Sequence, residues 1–408
     1  MFKKVIHISV YKKNLFIMWF ANFLVSASAT MVLPFLSLYI NTFGHHSNGF
    51  TEKWSGYVFG ITFLMAFLVS PFWGRFGDQY GYKKILLITG SGIGTCILLM
   101  SVVSSVYDLF FLRMVMGLVT GFIPTSLAMI SAQTPKKLAG KVLGTLQTGT
   151  VSGGLFGPLI GGLLADHVGF TYTFFITAFM IYGSVFLVFL GVHERPLKSK
   201  RTQSDTYSRK QVLQAIFNRK SLLTMMILTA VIQIGNFSIQ PLLALYVAEL
   251  HGTQHLAFFS GLAFSATGLG SLLSARKWGH WGDRFGHGKI LIILSLLATV
   301  FFIPQGLASS YQVLIIFRFL FGIALGGMIP CITASIRIQA PVAIQGEVLG
   351  YNVSFRFFGN VIGPVLGGVL SSHFGISTTF YTTAFLFFFG ACLLFIQRFQ
   401  EKKAKFEN

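Results

Sequence analysis

The sequence predicts an all-α integral membrane protein, with twelve transmembrane helices in two pseudo-symmetric six-helix bundles. Three observations carry this expectation: twelve long apolar runs, basic residues confined to one side of them, and two halves that repeat at a fixed offset. Composition agrees. Charged residues make up 10% of the 408, against 53% hydrophobic and 15% aromatic, whereas a soluble domain carries about 25% charged residues to face water. An ordinary soluble enzyme, a disordered chain and a disulfide scaffold are thereby excluded. The three cysteines, Cys96, Cys331 and Cys392, are scattered without metal-ligand or disulfide spacing.

A helix needs roughly 20 mostly apolar residues to cross a bilayer. Six such runs occupy residues 15–39, 54–72, 85–103, 109–132, 142–164 and 170–190; six more occupy 221–247, 258–275, 290–308, 313–336, 348–370 and 376–396. None alternates over about 10 residues, as a barrel strand would. The first is too long for a cleaved signal peptide and is followed by too much similar material. One long polar stretch separates the sixth run from the seventh. We therefore expect an N-terminal bundle over 1–190, a cytoplasmic linker over 191–220 and a C-terminal bundle over 221–408. The linker, with Glu194, Arg195, Lys198, Lys200, Arg201, Arg209, Lys210, Arg219 and Lys220, reads as a solvated connector.

With both termini cytoplasmic, 27 of the 31 Lys and Arg fall in cytoplasmic segments. Lys53 alone falls on the other side, and Arg113, Arg318 and Arg356 lie inside runs. Such asymmetry sets the orientation and requires an even number of crossings. It also accounts for the net charge of +20 without nucleic acid, because the basic residues spread along a membrane face instead of gathering in a domain. A multi-pass protein of the cell membrane is expected.

The halves are copies. Gly74-Arg75-Phe76-Gly77-Asp78-Gln79-Tyr80-Gly81 returns 205 residues on as Gly279-His280-Trp281-Gly282-Asp283-Arg284-Phe285-Gly286, and Arg113 with Gly117 returns as Arg318 with Gly322. From there the offset is 206, pairing Gln133 with Gln339, Gly157-Pro158 with Gly363-Pro364 and Gly161-Gly162 with Gly367-Gly368. Parallel six-span repeats suit a two-bundle carrier with its site near the membrane midplane.

The segment Gly74…Gly77-Asp78…Gly81-Tyr82-Lys83-Lys84 resembles the loop 2–3 signature of the major facilitator superfamily. Gly153-x-x-x-Gly157-Pro158-x-x-Gly161-Gly162 resembles the span 5 motif of its drug:proton antiporters. Arg113-x-x-x-Gly117 resembles their span 4 signature, with Met116 where a polar residue often stands. The likeness covers nearly the whole chain and is greatest to MdtG-type bacterial multidrug transporters. It implies the major facilitator fold and a secondary active exporter of amphiphilic drugs or small molecules, driven by proton antiport through alternating access. The rival reading is an uptake carrier of the same fold for a sugar or organic anion, and the span 5 Gly-Pro motif counts against it. Neither reading is an enzyme.

Glycines remove side chains, so Gly74, Gly77 and Gly81 permit a compact turn between spans 2 and 3 with Asp78 at its centre. The resemblance implies that Asp78 meets the N-terminus of span 11 as a cytoplasmic latch, where the helix dipole favours an anion, and that Asp283 mirrors it against span 5. In span 5, Gly153, Gly157 and Gly161 share one face, and small residues at that spacing let helices close on each other in lipid. Pro158, beside Gly162, removes a backbone donor and can bend the helix. Gly359, Gly363, Pro364, Gly367 and Gly368 repeat the pattern in span 11.

A charge at the centre of a span costs about 2.5–3.5 kcal/mol on insertion scales. Arg113, Arg318 and Arg356 should therefore face a wet cavity or a partner, although Arg113 and Arg318 start close enough to a span end to snorkel in part. The family motif assigns Arg113 to proton relay. No acid or histidine lies in a span core: Glu52, Asp108, Asp166 and Glu249 fall outside, and the other seven acids fall inside the cell. Many drug:proton antiporters use a membrane-embedded carboxylate, and this sequence departs from that pattern. A net positive cavity is expected, favouring anionic, zwitterionic or neutral amphiphiles.

Glu347 opens span 11, where the repeat mate is Lys141, and is the candidate to share a coupling proton with Asp78, since two carboxylates at one site raise one pKa. Its alternative role is simply an anion at a helix N-terminus. The amides Asn22, Gln147, Gln233, Asn236, Gln240, Asn352 and Asn360 either line the substrate cavity or bridge helices. There is no Gly-x-x-x-x-Gly-Lys-Ser/Thr, His-Glu-x-x-His or Cys-x-x-Cys run, so no nucleotide, metal or other cofactor is expected. The expected partners are the lipid bilayer, a small-molecule substrate and protons, with the chain acting as a monomer.

Overall fold

A computed structural model describes residues 2–44, 46–135, 138–194, 209–341 and 344–406, and every regular element among them is a helix. The first crossing is α1 (Phe2–Met31) and α2 (Leu36–Asn41), joined by a 3-10 turn at Leu33–Phe35. The second and third are α3 (Asn48–Tyr80) and α4 (Tyr82–Met100), and α5 (Val106–Leu118) with α6 (Phe122–Gln133) makes the fourth. A single helix, α7 (Ala139–Gly191), carries the fifth and sixth across a kink at Gly169, whose φ is +83°. The short α8 (Arg209–Asn218) lies in the polar linker, of which 195–208 fall outside the described residues. The seventh crossing is α9 (Lys220–Ser238) and α10 (Leu243–His251) about a 3-10 turn at Gln240–Leu242. Then follow α11 (Leu256–Phe285), α12 (His287–Gly306), α13 (Tyr311–Gln339), α14 (Gln345–Phe374) and α15 (Ile376–Phe406). With α7 carrying two, twelve crossings stand as expected.

The turn between the second and third crossings is shorter than the glycines imply. Gly74 and Gly77 are helical, within α3, and only Gly81 turns, at φ +97°. A helical glycine costs only about 1 kcal/mol relative to alanine, so the long apolar helix runs on through both. A left-handed φ, by contrast, excludes a side chain at Gly81 and at its mate Gly286, φ +92°. Proline explains the broken first and seventh crossings: Pro34 and Pro241 sit in the two 3-10 turns, where no backbone donor is missed.

The chain folds as two compact units. One comprises Met1–His45, Ile61–Lys200 and Thr253–Ser265; the other comprises His46–Gly60, Arg201–Gly252 and Ala266–Asn408. The start of α3 thus belongs with the second unit and the start of α11 with the first. The glycine rows explain why. In the first unit, Gly153, Gly157 and Gly161 lie against α1, and a Cβ on Gly157 would stand 2.5 Å from the Ala27 carbonyl oxygen. Those on Gly153 and Gly161 would run into the Phe23 and Met31 carbonyls. The next residue, Gly162, faces Ala257 of α11, and Gly261 rests on the Pro158 carbonyl.

The second unit repeats this. Cβ atoms on Gly359 and Gly363 would lie 2.6 and 2.8 Å from the Ala230 and Ile234 carbonyl oxygens of α9, and Gly367 faces Ser238. Gly368 faces the Glu52 carbonyl of α3, and Gly56 rests on that of Pro364.

Overpacking a close seam costs about 1–3 kcal/mol. Gly161→Ala and Gly367→Ala should therefore lower the melting temperature of detergent-solubilised protein. Gly140→Ala and Gly346→Ala, where a Cβ meets nothing within 4 Å, should leave it unchanged or raised.

Candidate functional site

Repeat mates Arg113 and Arg318 are 4% and 2% exposed, so neither snorkels; both are enclosed by their own units. Each sits one turn before a glycine that lets a neighbouring helix close: Gly117 against the Thr62 carbonyl, Gly322 against that of Thr267. The same threonines donate to the carbonyls of Arg113 and Arg318, both at 3.2 Å. Nε of Arg113 has no hydrogen-bond partner. Arg356, midway along α14, is exposed.

Carboxylates gather at the helix ends. Where the basic loops emerge, Asp78 accepts from the Tyr82 hydroxyl at 2.5 Å, ordering its own turn. Its mate Asp283 is 75% exposed and pairs with His287 at 3.3 Å. Glu347 is exposed in the first turn of α14. Glu194, which reads from sequence as part of a solvated linker, instead caps α4: its two oxygens accept from the Tyr82 and Lys83 amides at 2.6 and 2.9 Å. Lys83 in turn donates to the Phe189 and Val192 carbonyls, both at 2.8 Å, at the end of α7. Gly81 is needed twice over, by its φ and because a Cβ would stand 2.9 Å from Glu194.

At the opposite end, Asp166 caps α11, accepting from the Ala257 and Phe258 amides at 3.1 and 2.8 Å. Glu52, 8% exposed, accepts from the Ser371 hydroxyl at 2.6 Å. Glu52 is the repeat mate of Ala257, so a carboxylate stands at the start of α3 in one unit and opposite the start of α11 in the other. Sequence alone marks these acids only as lying outside the spans. Their partners are 91 and 319 residues away, and no local pattern announces them.

The amides divide. Asn352 accepts from the Thr229 hydroxyl at 2.8 Å and so bridges α14 to α9, while Gln233 packs against Gly359. Asn22 is fully buried with neither amide atom hydrogen-bonded, and the Asn360 carbonyl oxygen is likewise unmatched. Asn236 and Gln240 are half-buried, and Gln147 is exposed. The glutamine pair of the repeat closes each unit alike: Asn14 donates to Gln133 at 3.0 Å, and Ser221 donates to Gln339.

Comparison with known proteins places this geometry. The family model described as Major Facilitator Superfamily matches residues 18–275 and 225–407. The uncharacterized MFS-type transporter YuxJ of Bacillus subtilis (strain 168) is 71% identical over 381 residues, 93% of this chain and 97% of that one. Multidrug resistance protein MdtG of Rahnella sp. (strain Y9602) is 39% identical over 384 residues, 93% of this chain and 92% of that one. Among solved structures, the nucleoside transporter NupG superposes with a TM-score of 0.76 at 14% identity, over 94% of this chain and 98% of that one. That last likeness is one of fold.

A carboxylate on a helix N-terminus is worth about 0.3–1 kcal/mol at the surface and up to ~2 when partly buried. Asp166→Asn and Glu194→Gln should each lower the thermal stability of the purified protein by an amount in that range. Raising the salt concentration should narrow the gap from wild type, because screening weakens the charge–dipole attraction.

Proposed function

We propose that this chain, which belongs to the major facilitator superfamily of membrane transporters, exports amphiphilic small molecules by alternating access in exchange for protons. One observation carries the reading: the glycine–proline seam is built twice, on α7 and on α14, in a chain 39% identical to a multidrug resistance protein along nearly its whole length. The motif's resemblance to the drug:proton antiporter signature counts against a sugar or organic-anion uptake carrier. In this reading both termini face the cytoplasm, because the basic loops then lie on the inner face.

Charge sets the substrate class. Arg113 and Arg318 are buried within the membrane-spanning helices, Arg356 stands exposed on α14, and the sequence offers no acid in a span core to neutralise them. The substrate is therefore anionic, zwitterionic or neutral. Three cations among the spans and no acid in a span core make the field there net positive, and a lipophilic cation would be repelled by that field even without touching an arginine. Asn22 and Asn360, buried with unmatched amide groups, are the polar contacts best suited to a substrate or to the water it displaces. Coupling falls to Arg113 together with acids at the helix ends, of which Asp78 and Glu347 lie on the cytoplasmic side.

Energised everted membrane vesicles should accumulate anionic and zwitterionic amphiphiles, and a protonophore should abolish the uptake. Arg113→Gln should cut the initial rate about ten-fold, a barrier change of about 1.4 kcal/mol. Movement of cationic dyes alone would overturn the substrate class, and uptake in right-side-out vesicles would overturn the direction.

The pH profile checks Glu347 separately. With Glu347→Gln at normal expression, the dependence of transport on cytoplasmic pH should flatten. An unchanged profile would leave Glu347 as no more than an anion at a helix N-terminus.

A further inference from the structure

The two repeats treat the same helix end differently. In the first, Glu194 seats its carboxylate on the N-terminus of α4, at the Tyr82 and Lys83 amides. The matching end of the second repeat is the start of α12 at His287 and Gly288, after Gly286 in the same left-handed conformation. The residue 206 positions beyond Glu194 is Gln400, and α15 continues past it to Phe406 instead of ending in a loop that could fold back.

What stands there instead is a cavity of about 200 Å³, bounded by Gly286, Gly288, Gln397 and Arg398 among others. Nη1 of Arg398 is shielded from solvent and has no hydrogen-bond partner. It lies 3.9 Å from where a Cβ on Gly288 would be, so the guanidinium stands close to the helix end. The first repeat thus shows a carboxylate bound at this position, and the second places a guanidinium beside the equivalent helix end. Asp283 is an opposing charge at the end of the preceding helix, α11. It lines a neighbouring cavity and faces the His287 ring at 3.3 Å, and it is not among the residues that bound the Arg398 cavity.

A second feature identifies the anion. Arg398 also bounds a groove of about 410 Å³ with Lys289, Ile292, Ile293, Phe395 and Phe399. Two cations and four apolar side chains line it, with Ile293, Phe395 and Phe399 exposed along α12 and α15. A free inorganic anion has no use for an apolar groove; an acyl chain does.

We propose that an anionic phospholipid of the cytoplasmic leaflet seats its phosphodiester at the N-terminus of α12, between Lys289 and Arg398, and lays an acyl chain along Ile292, Ile293, Phe395 and Phe399. Phosphate at a helix N-terminus meets free N–H groups and the positive end of the dipole. Each nearby basic residue adds about 1 kcal/mol of attraction toward an anionic lipid, or roughly five-fold in affinity.

The test uses the purified full chain in detergent, offered phosphatidylglycerol or phosphatidylcholine of the same acyl composition, with native mass spectrometry reading the bound lipid. Wild type should retain phosphatidylglycerol preferentially. Arg398→Gln and Lys289→Gln should each reduce that retention about five-fold, while Lys277→Gln, an exposed cation on α11, should not. Lys289 is itself exposed, so its variant carries the test if Arg398→Gln fails to fold. Equal retention of both lipids, or retention indifferent to both variants, would overturn the proposal. So would inorganic phosphate raising the melting temperature as much as phosphatidylglycerol does, in an Arg398-dependent manner: the source would then be a soluble anion.

Discussion

Helices surrounded by lipid gain little by burying apolar side chains against one another, because the tails outside are as apolar as the partner inside. Close backbone approach is what holds this molecule together. Along α7, Gly153, Gly157 and Gly161 bring α1 so near that a single methyl group would strike its carbonyls. Consecutive residues on a helix point about 100° apart, and Gly162 uses that angle to admit α11 beside α1. One helix therefore serves two neighbours at once, and α14 does the same for α9 and α3. The split of α3 and α11 between the two units follows from these seams.

The helix ends obey a different physics. An N-terminus leaves four N–H groups without partners, and beside the apolar phase these cannot all be left to water. Glu194 answers this for α4 and Asp166 for α11, each with two accepted hydrogen bonds. In both cases the cap comes from another part of the chain, so it fixes the helix in space as well as in register. Glu52 and Ser371 serve the corresponding seam of the second unit, with the carboxylate now on the starting helix and the hydroxyl on its neighbour.

Much of the fold was legible before any coordinates. Apolar length yields the twelve crossings, and the repeat offset pairs Gly157-Pro158 with Gly363-Pro364 on helices that pack alike. Spacing of four puts Gly153, Gly157 and Gly161 on one helix face, because helical periodicity is a local property. The positions that escaped are those whose meaning is set across space. Glu194 looks like one charge in a charged linker, Asp166 like an acid outside the spans, and Asn352 like a residue that either lines the cavity or bridges helices, with Thr229 then found opposite it. The loop glycines misled for the reverse reason: Gly74 and Gly77 permit a turn, but permission is not preference, and nothing prevented α3 from running on.

The arginines bring these strands together. A guanidinium stays protonated under all physiological conditions, so Arg113 cannot itself take up and release a proton at each cycle. Whatever it contributes to coupling is electrostatic, a fixed positive charge that biases groups able to titrate. No acid occupies a span core, and the carboxylates available are those at the helix ends, several already bonded to a neighbouring helix. A carboxylate that holds a helix end gives up part of its acceptor strength when protonated, so proton binding and the fixing of that helix are linked. That reciprocity is thermodynamic. For the proton exchange proposed above, it supplies a route from a bound proton to a movement of helices through the same residues that cap them.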